Sequence, residues 1–475
     1  MNVVSQLAEF AAGLHWEDVP DTVRRKLQDH VLDTLGVMCA GVMARESALT
    51  TEVVASWRGA PICTVVATSL RLPPPQAAFL NAFHGRIHTF DDTLEAGPVH
   101  SGSVVLAAAL ASAESAKASG ATLLVGILAG YEVTARIVAA LGPAHFAAGF
   151  HPTGTCNVFG AAAAAGRVRG LNAKALTDAI GMSGGMASGL RQYQIDGSIS
   201  DSALNGAHAA LAGVLAAELA AAGLAGPAGV LDGKFGLATT TVRSADFSNA
   251  TYRLGRDYLF ADTAIKPFPT CRFTHGPLQV LSRLQKEHGF SARDVACIEI
   301  ATFRQSIEVS DRPHVASRTD ALLSHQTSAA LLLTHGSIDL SLIDRGAYLE
   351  PDVSDLAAKV HIVHCDELEA RYPAAWPHRI TVLTRDGGTL EGFSDYPPGA
   401  PTNPIPRADV EAKFYATTRD VFGRAHADSL LKAVLSLSTL PDICSLAHLL
   451  QPEGGDASRI PLTVAGTAAG LSKDT

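Results

Sequence analysis

In the stretch "DTVRRKLQDHVLDTLGVMCAG", residues 21–41, apolar side chains recur at Val23, Leu27, Val31 and Leu35, behind Asp21 as the expected cap and with Gly36 and Gly41 near the exit. Steps of four keep side chains on one face of a helix, so this stretch predicts an amphipathic helix turned toward a core. Residues 101–116, 121–141, 157–171 and 203–224 combine strong helix formers with many alanines and glycines. Small faces let helices approach closely, which predicts a packed helical domain.

The pattern changes near residue 294. "VACIEIATF" (295–303) and "HRITVLTRDGGTLEGF" (378–393) alternate with period two, and Asp386-Gly387 between two such runs predicts a hairpin. "SDYPPGAPTNPIPR", 394–407, reads as a proline-rich connector, after which "ADVEAKFYATTRDVFG" and "HADSLLKAVLSL" return to helical spacing. The fold class that follows is mainly α. A large all-helical domain is expected over 1–262 and 400–475, with a smaller inserted α+β domain over 263–399 and a poorly ordered tail from Pro452. No internal repeat of fixed period is present.

At 475 residues the chain exceeds what a single hydrophobic core usually supports, in keeping with two domains. Apolar residues make up 47% and charged ones 17%, a balance that fits a compact enzyme-like protein and not a disordered one. The net charge of −9 argues against nucleic acid as a partner. Seven cysteines, dispersed and without a C-x-x-C pair, indicate neither a disulfide framework nor a zinc knuckle and fit a reducing cytoplasm. The N-terminus lacks the layout of a signal peptide, and the most apolar later stretch, 203–226, is interrupted by Asn205, His208 and Glu218, so no membrane span is expected.

Four polar segments stand out against this background. In "HGRIHTFDDTLEAGPVHSGS" (84–103), Asp91 and Asp92, followed by Thr93 and then His100, offer a base, a hydrogen-bond donor and an acid within one loop, although capping acids at a helix end read equally well. "GFHPTGTCNVFG" carries His151 ahead of a helix N-terminus, where backbone N–H groups attract carboxylates, and a capping histidine is the alternative. "KPFPTCRFTH" (266–275) gathers Lys266, Cys271, Arg272 and His275 on a segment stiffened by Pro267 and Pro269. A lysine withdrawn from water there would act as a base, and Arg272 could clamp a carboxylate. The fourth, "DGSISDSALNGAHAALAG" (196–213), supplies Ser198 and Asp201, with Tyr193 just ahead as a further substrate-binding candidate. It is not a phosphate loop, since no G-x-x-x-x-G-K-[ST] pattern occurs. "HIVHC" (361–365) puts His361 and His364 on opposite sides of a strand, which disfavours a shared metal.

Taken in order, "FDDT", "HSGSVVLAAALA", "GYEV", "GFHPTGT", "NGAHAA", "GPAGVLDGKFG", "KPFPTCRFTH" and "PPGAPTNP…KF" resemble the family of 2-methylcitrate dehydratase, cis-aconitate decarboxylase and iminodisuccinate epimerase, often called MmgE/PrpD. The resemblance implies a helical domain built from both chain ends and an inserted α+β domain. It also implies a homodimer, no metal or organic cofactor, and a site between the domains for molecules bearing two or three carboxylates. Asp91, Thr93, His100, His151, Lys266 and His275 match site or motif positions of the family, with Lys266, His151, His100 and Asp91 in catalytic roles. Arg86, Thr93, Tyr193, Ser198, Asp201, Arg272 and His275 are expected to bind substrate.

Two departures matter. The family pattern His-x-x-Asp-Phe-Asp-Asp-Thr reads here Arg86-Ile87-His88-Thr89-Phe90-Asp91-Asp92-Thr93, and the lysine of Gly-Ser-x-x-Lys is replaced by Asp201. An aspartate there reverses the charge that would hold a tricarboxylate, and Arg86 is expected to return positive charge from across the pocket. Epimerisation expels neither hydroxide nor carbon dioxide and tolerates this loss best. The reading that follows is an epimerase of an iminodisuccinate-like dicarboxylate, with a dehydratase- or decarboxylase-like lyase as the alternative and an inactive polycarboxylate binder as the second.

Overall fold

The computed structural model describes residues 2–242 and 245–452; the expectation for the tail concerns residues that mostly lie outside these. The helical unit includes α1 (Asp21–Gly41), α2 (Pro74–Arg86), α3 (Gly102–Ala116), α4 (Gly120–Leu141), α5 (Asn157–Val168) and α6 (Ile199–Ala221). Val23, Leu27, Val31 and Leu35 are all buried, as their spacing predicts. Asp21 is not the cap of α1. Pro20 holds that position, and Asp21 stands in the first turn, where its charge favours the helix dipole. The small residues act as expected: a Cβ on Gly160 of α5 would lie 2.0 Å from Thr134 Oγ1 and 2.5 Å from the Gly130 carbonyl of α4, so the two helices cross with almost nothing between their backbones.

α4 and α6 have the length and hydropathy of membrane spans, but 94% and 67% of their most apolar windows are buried inside the protein, as in core helices. The α+β unit carries a four-stranded sheet of β1 (Val295–Thr302), β2 (Val360–His364), β3 (His378–Thr384) and β4 (Thr389–Ser394), in the order β2-β1-β3-β4. β1 runs parallel to β2, and the other pairs are antiparallel. Asp386-Gly387 does form the hairpin between β3 and β4, with Gly387 at φ 90°. Val295, Ile298 and Ile300 turn inward while Glu299 faces out, so one face of the sheet is buried, against α7 (His275–His288) and α8 (His325–His335).

After the connector the chain returns to the helical unit. α9 (Arg407–Phe422) packs along α1 so closely that a Cβ on Gly36 would lie 2.5 Å from Thr417 Oγ1. Both units share one apolar core. A smaller cluster of Phe146, Cys271, Phe273, Phe303, Val309, Leu323 and Trp376 forms separately where they meet.

Candidate active site

The site is built on the turn after α2. Thr89 takes a left-handed backbone conformation, φ 54°, which reverses the chain and leads into the short strand Thr93–Leu94. That strand pairs antiparallel with Thr263–Ala264, Thr93 opposite Ala264, so the segment entering the second unit begins beside the turn. Lys266 precedes Pro267 and Phe268 precedes Pro269, both of which favour extended backbone. Lys266 Nζ donates to the Thr89 carbonyl at 2.7 Å.

The two acidic residues of the turn have separate duties. Asp91 is fully buried and accepts from Arg86 Nη1 at 2.5 Å and from Ser103 Oγ at 2.8 Å. Asp92 points away toward α1 and accepts from His30, Tyr131 Oη and the Gly102 N–H at 2.8, 2.5 and 2.9 Å. Burial raises the Asp92 carboxyl, but these hydrogen bonds outweigh it and hold the group below its ordinary value.

These groups face a cavity between the two units. Arg86, Thr93, His100, His151 and Tyr193 line it from the helical unit and Lys266 from the segment that opens the second; Phe146, Cys271, Phe273, Val309, Leu323 and Trp376 form an apolar wall. His100 Nδ1 donates to the Asp92 carbonyl at 2.7 Å, which leaves Nε2 as the basic atom of that ring. His151 lies 3.3 Å from Tyr193 Oη through Nε2 and 3.4 Å from Asn205 Nδ2 through Nδ1. Burial, then Arg86 and other nearby cations, hold both histidines well below their ordinary pKa and therefore neutral. Burial pushes Lys266 down to about 7, with Asp91 opposing and Arg86 assisting the fall. The cavity therefore presents a neutral histidine base and an amine poised between its charged and neutral forms, beside the fixed cation of Arg86.

Not every expected residue reaches this cavity. Ser198 is exposed and Asp201 only partly buried; neither lines it. Along α6 it is Ile199 and Ser202, one turn apart, that face inward, and Ser202 Oγ accepts from Arg86 Nη2 at 2.8 Å. Asp201 sits one residue, about 100° of helical rotation, off that face. His275 is buried one layer back, near the Thr270 carbonyl at 3.3 Å. Arg272 lines the cavity, and its N–H groups are bound by Glu95 Oε1 at 2.6 and 2.8 Å and the Pro398 carbonyl at 2.6 Å, so it ties the units together. Among the described residues, no group of three or more His, Cys, Asp or Glu side chains converges as a metal site would require. Cys156 is buried and its thiol pushed up to about 12.

Sequence reasoning missed Ser202, the Thr89 carbonyl, Gln194 and the wall residues Phe146, Val309, Leu323 and Trp376. Ser202 could have been found by continuing the helical face from Ile199. The wall residues carry no signal, because an apolar residue facing a cavity reads like any core residue.

The chain resembles cis-aconitate decarboxylases along nearly its whole length. That of Aspergillus terreus (strain NIH 2624 / FGSC A1156) is 24% identical, covering 94% of this chain and 96% of the relative. The human one is 27% identical, covering 95% of each, and that of Mus musculus 26% identical, covering 95% and 93%. These relatives are lyases by name, so they favour the lyase alternative over the epimerase expected above. The MmgE/PrpD N-terminal domain profile matches residues 5–250 and the C-terminal domain profile residues 268–439. With the two profiles matched one after the other over most of the chain, the chain belongs to the MmgE/PrpD family.

Proposed function

We propose that this protein is a lyase acting on a small tricarboxylate, decarboxylating an unsaturated one of the cis-aconitate type. The observation that carries the reading is Lys266, buried in the cavity beside Arg86 and Asp91 with its pKa lowered to about 7. In such a substrate the bond from the saturated carbon to its carboxylate breaks, releasing carbon dioxide. The electron pair of that bond forms a new double bond, and the pair of the old double bond takes up a proton on the far carbon. The step needs one proton donor and cationic surroundings for the remaining carboxylates. Lys266 in its ammonium form supplies the proton, and Arg86, with Lys266 itself, offsets substrate charge. Water entering after product release returns the proton to the Lys266 amine, and the His100 Nε2 lone pair, as a base, would remove a proton from a hydroxy acid, which keeps dehydration within reach of the same groups.

The test is incubation in heavy water with EDTA present, followed by NMR, using cis-aconitate, a 2-methylcitrate-like hydroxy acid and an iminodisuccinate-like dicarboxylate in parallel. The expected result is carbon dioxide release from the unsaturated tricarboxylate with one deuterium in the product. Exchange and inversion of the dicarboxylate without loss of a group would replace the lyase by the epimerase. Binding without turnover of any of the three would leave a polycarboxylate-binding relative.

A further inference from the structure

The turn that receives Lys266 is held by a second buried lysine that does not line the cavity between the units. Lys413, on α9, donates from Nζ to the Phe90 carbonyl at 2.9 Å, lies 2.6 Å from Asp33 Oδ1 on α1, and stands 3.8 Å from the centre of the Phe90 ring. Consecutive carbonyls of one turn, at residues 89 and 90, are thus bound by lysines 147 positions apart in the chain (413 − 266). One turn of α1 before Asp33, His30 holds Asp92. α1 therefore grips the turn at two points, directly at Asp92 and through Lys413 at Phe90.

We propose that Lys413, paired with Asp33, is a positioning residue for the candidate active site: by fixing the Phe90 carbonyl it holds Thr89 in its left-handed conformation and so aims the Thr89 carbonyl at Lys266. Left-handed backbone is unfavourable for a threonine and persists only where neighbours determine it. The groups facing Lys266 are Asp91, Arg86, Cys271, Arg272, His100 and His275. Lys413 acts through the backbone between them. Burial disfavours charge on both Lys413 and Asp33, and their mutual attraction opposes that penalty, so the pair survives only as a pair. The kinetic part of the inference rests on Lys266 being the proton donor proposed above; the structural part does not.

The double variant Asp33→Asn with Lys413→Met removes both charges together, so the field at Lys266 changes little while the bond to Phe90 is lost. Lysine-selective 15N and 13C NMR, with the Lys266 signal assigned by its loss in Lys266→Met, reads the titration of the amine without any substrate. The expected result is a midpoint lowered by about half a unit or more, because the ammonium loses a well-placed carbonyl acceptor. kcat should fall by about tenfold with KM within about threefold. Lys413→Arg, which keeps a donor for Phe90, should restore much of both. A folded double variant with the wild-type midpoint overturns the proposal. If it does not fold, Lys413→Met alone is read instead: loss of a nearby positive charge would raise the midpoint, so a lowered one reports the displaced Thr89 carbonyl, and a midpoint that is raised or unmoved overturns the proposal. Absence of turnover in the wild type would count against the lyase and leave the NMR result standing.

Discussion

Lys266 Nζ lies 2.7 Å from the carbonyl oxygen of Thr89, a residue 177 positions earlier in the chain, and both are buried where the helical and α+β units meet. This contact joins the turn after α2 to the proline-stiffened segment that opens the second unit. It places an amine of lowered pKa against a cation, Arg86, and its partner Asp91.

Removing Lys266 should separate stability from activity. A free lysine titrates at 10.5 and this one at about 7, so between those values the unfolded chain binds more protons and folding stability rises with pH. Lys266→Met abolishes that dependence. The variant should be more stable than wild type at pH 7 and below, by about 2–4 kcal/mol once the unpaired Thr89 carbonyl is counted against it. The gain should shrink toward pH 10. Turnover should drop by about a hundredfold or more. Urea midpoints at pH 6, 8 and 10 check the first part, and a variant no more stable than wild type at pH 6 would show that the buried amine carries no such cost.

The Arg86–Asp91 pair should behave as a buried ion pair. Arg86→Met leaves the Asp91 carboxylate without its cation and should cost about 3–5 kcal/mol; combining it with Asp91→Asn should recover a large part of the loss but no activity. Denaturant midpoints of the two single variants and the double measure the coupling.

Opening of the site should be controlled from the second unit. Arg318 bonds to His88 and to the Ile87 carbonyl, and Arg312 to the carbonyl of Gln194, which lines the cavity. Burial and the Arg318 charge hold His88 down to about 3, so it remains a neutral acceptor through the physiological range. Replacing both arginines by alanine should speed amide exchange across residues 86–94 and 191–198 by about tenfold or more, with α4 unchanged, and should raise KM. Hydrogen exchange read by mass spectrometry shows whether these straps hold the two units together.

Asp201→Lys should have little effect. The residue is partly exposed and does not line the cavity, so water and salt screen its charge from bound carboxylates. KM for a tricarboxylate should change by less than about threefold, and a larger change would place the start of α6 closer to the substrate than Ser202 allows.

Lys266, His100, His151, Arg86, Thr93 and Tyr193 were legible as candidates because polar residues in an alanine-rich chain need a reason to be there, and all six line the cavity. Ser198 and Asp201 fall outside the cavity for a local reason. A loop rich in Gly, Ser and Asp resembles a binding loop, but the helix begins at Ile199, and its rotation gives the inward position to Ser202. Arg272 lines the cavity as well, but its partners Glu95 and Pro398 lie 177 and 126 residues away, and nothing near it in sequence shows that they engage its donors.

The sequence by itself determined the helical and strand periods, the return to helical spacing after the proline-rich connector, and the identities of the titratable groups, since each follows from side-chain type and spacing over a few residues. Only the tertiary structure decided which of those groups share a cavity, that Asp91 and Asp92, adjacent in the chain, point to different partners, and that Lys266 and Lys413 bind neighbouring carbonyls of one turn. Local spacing sets which way a side chain leaves its own element. The burial that lowers the pKa of Lys266, and the charges that oppose or assist it, come from segments tens to hundreds of residues away that meet only when the core has closed.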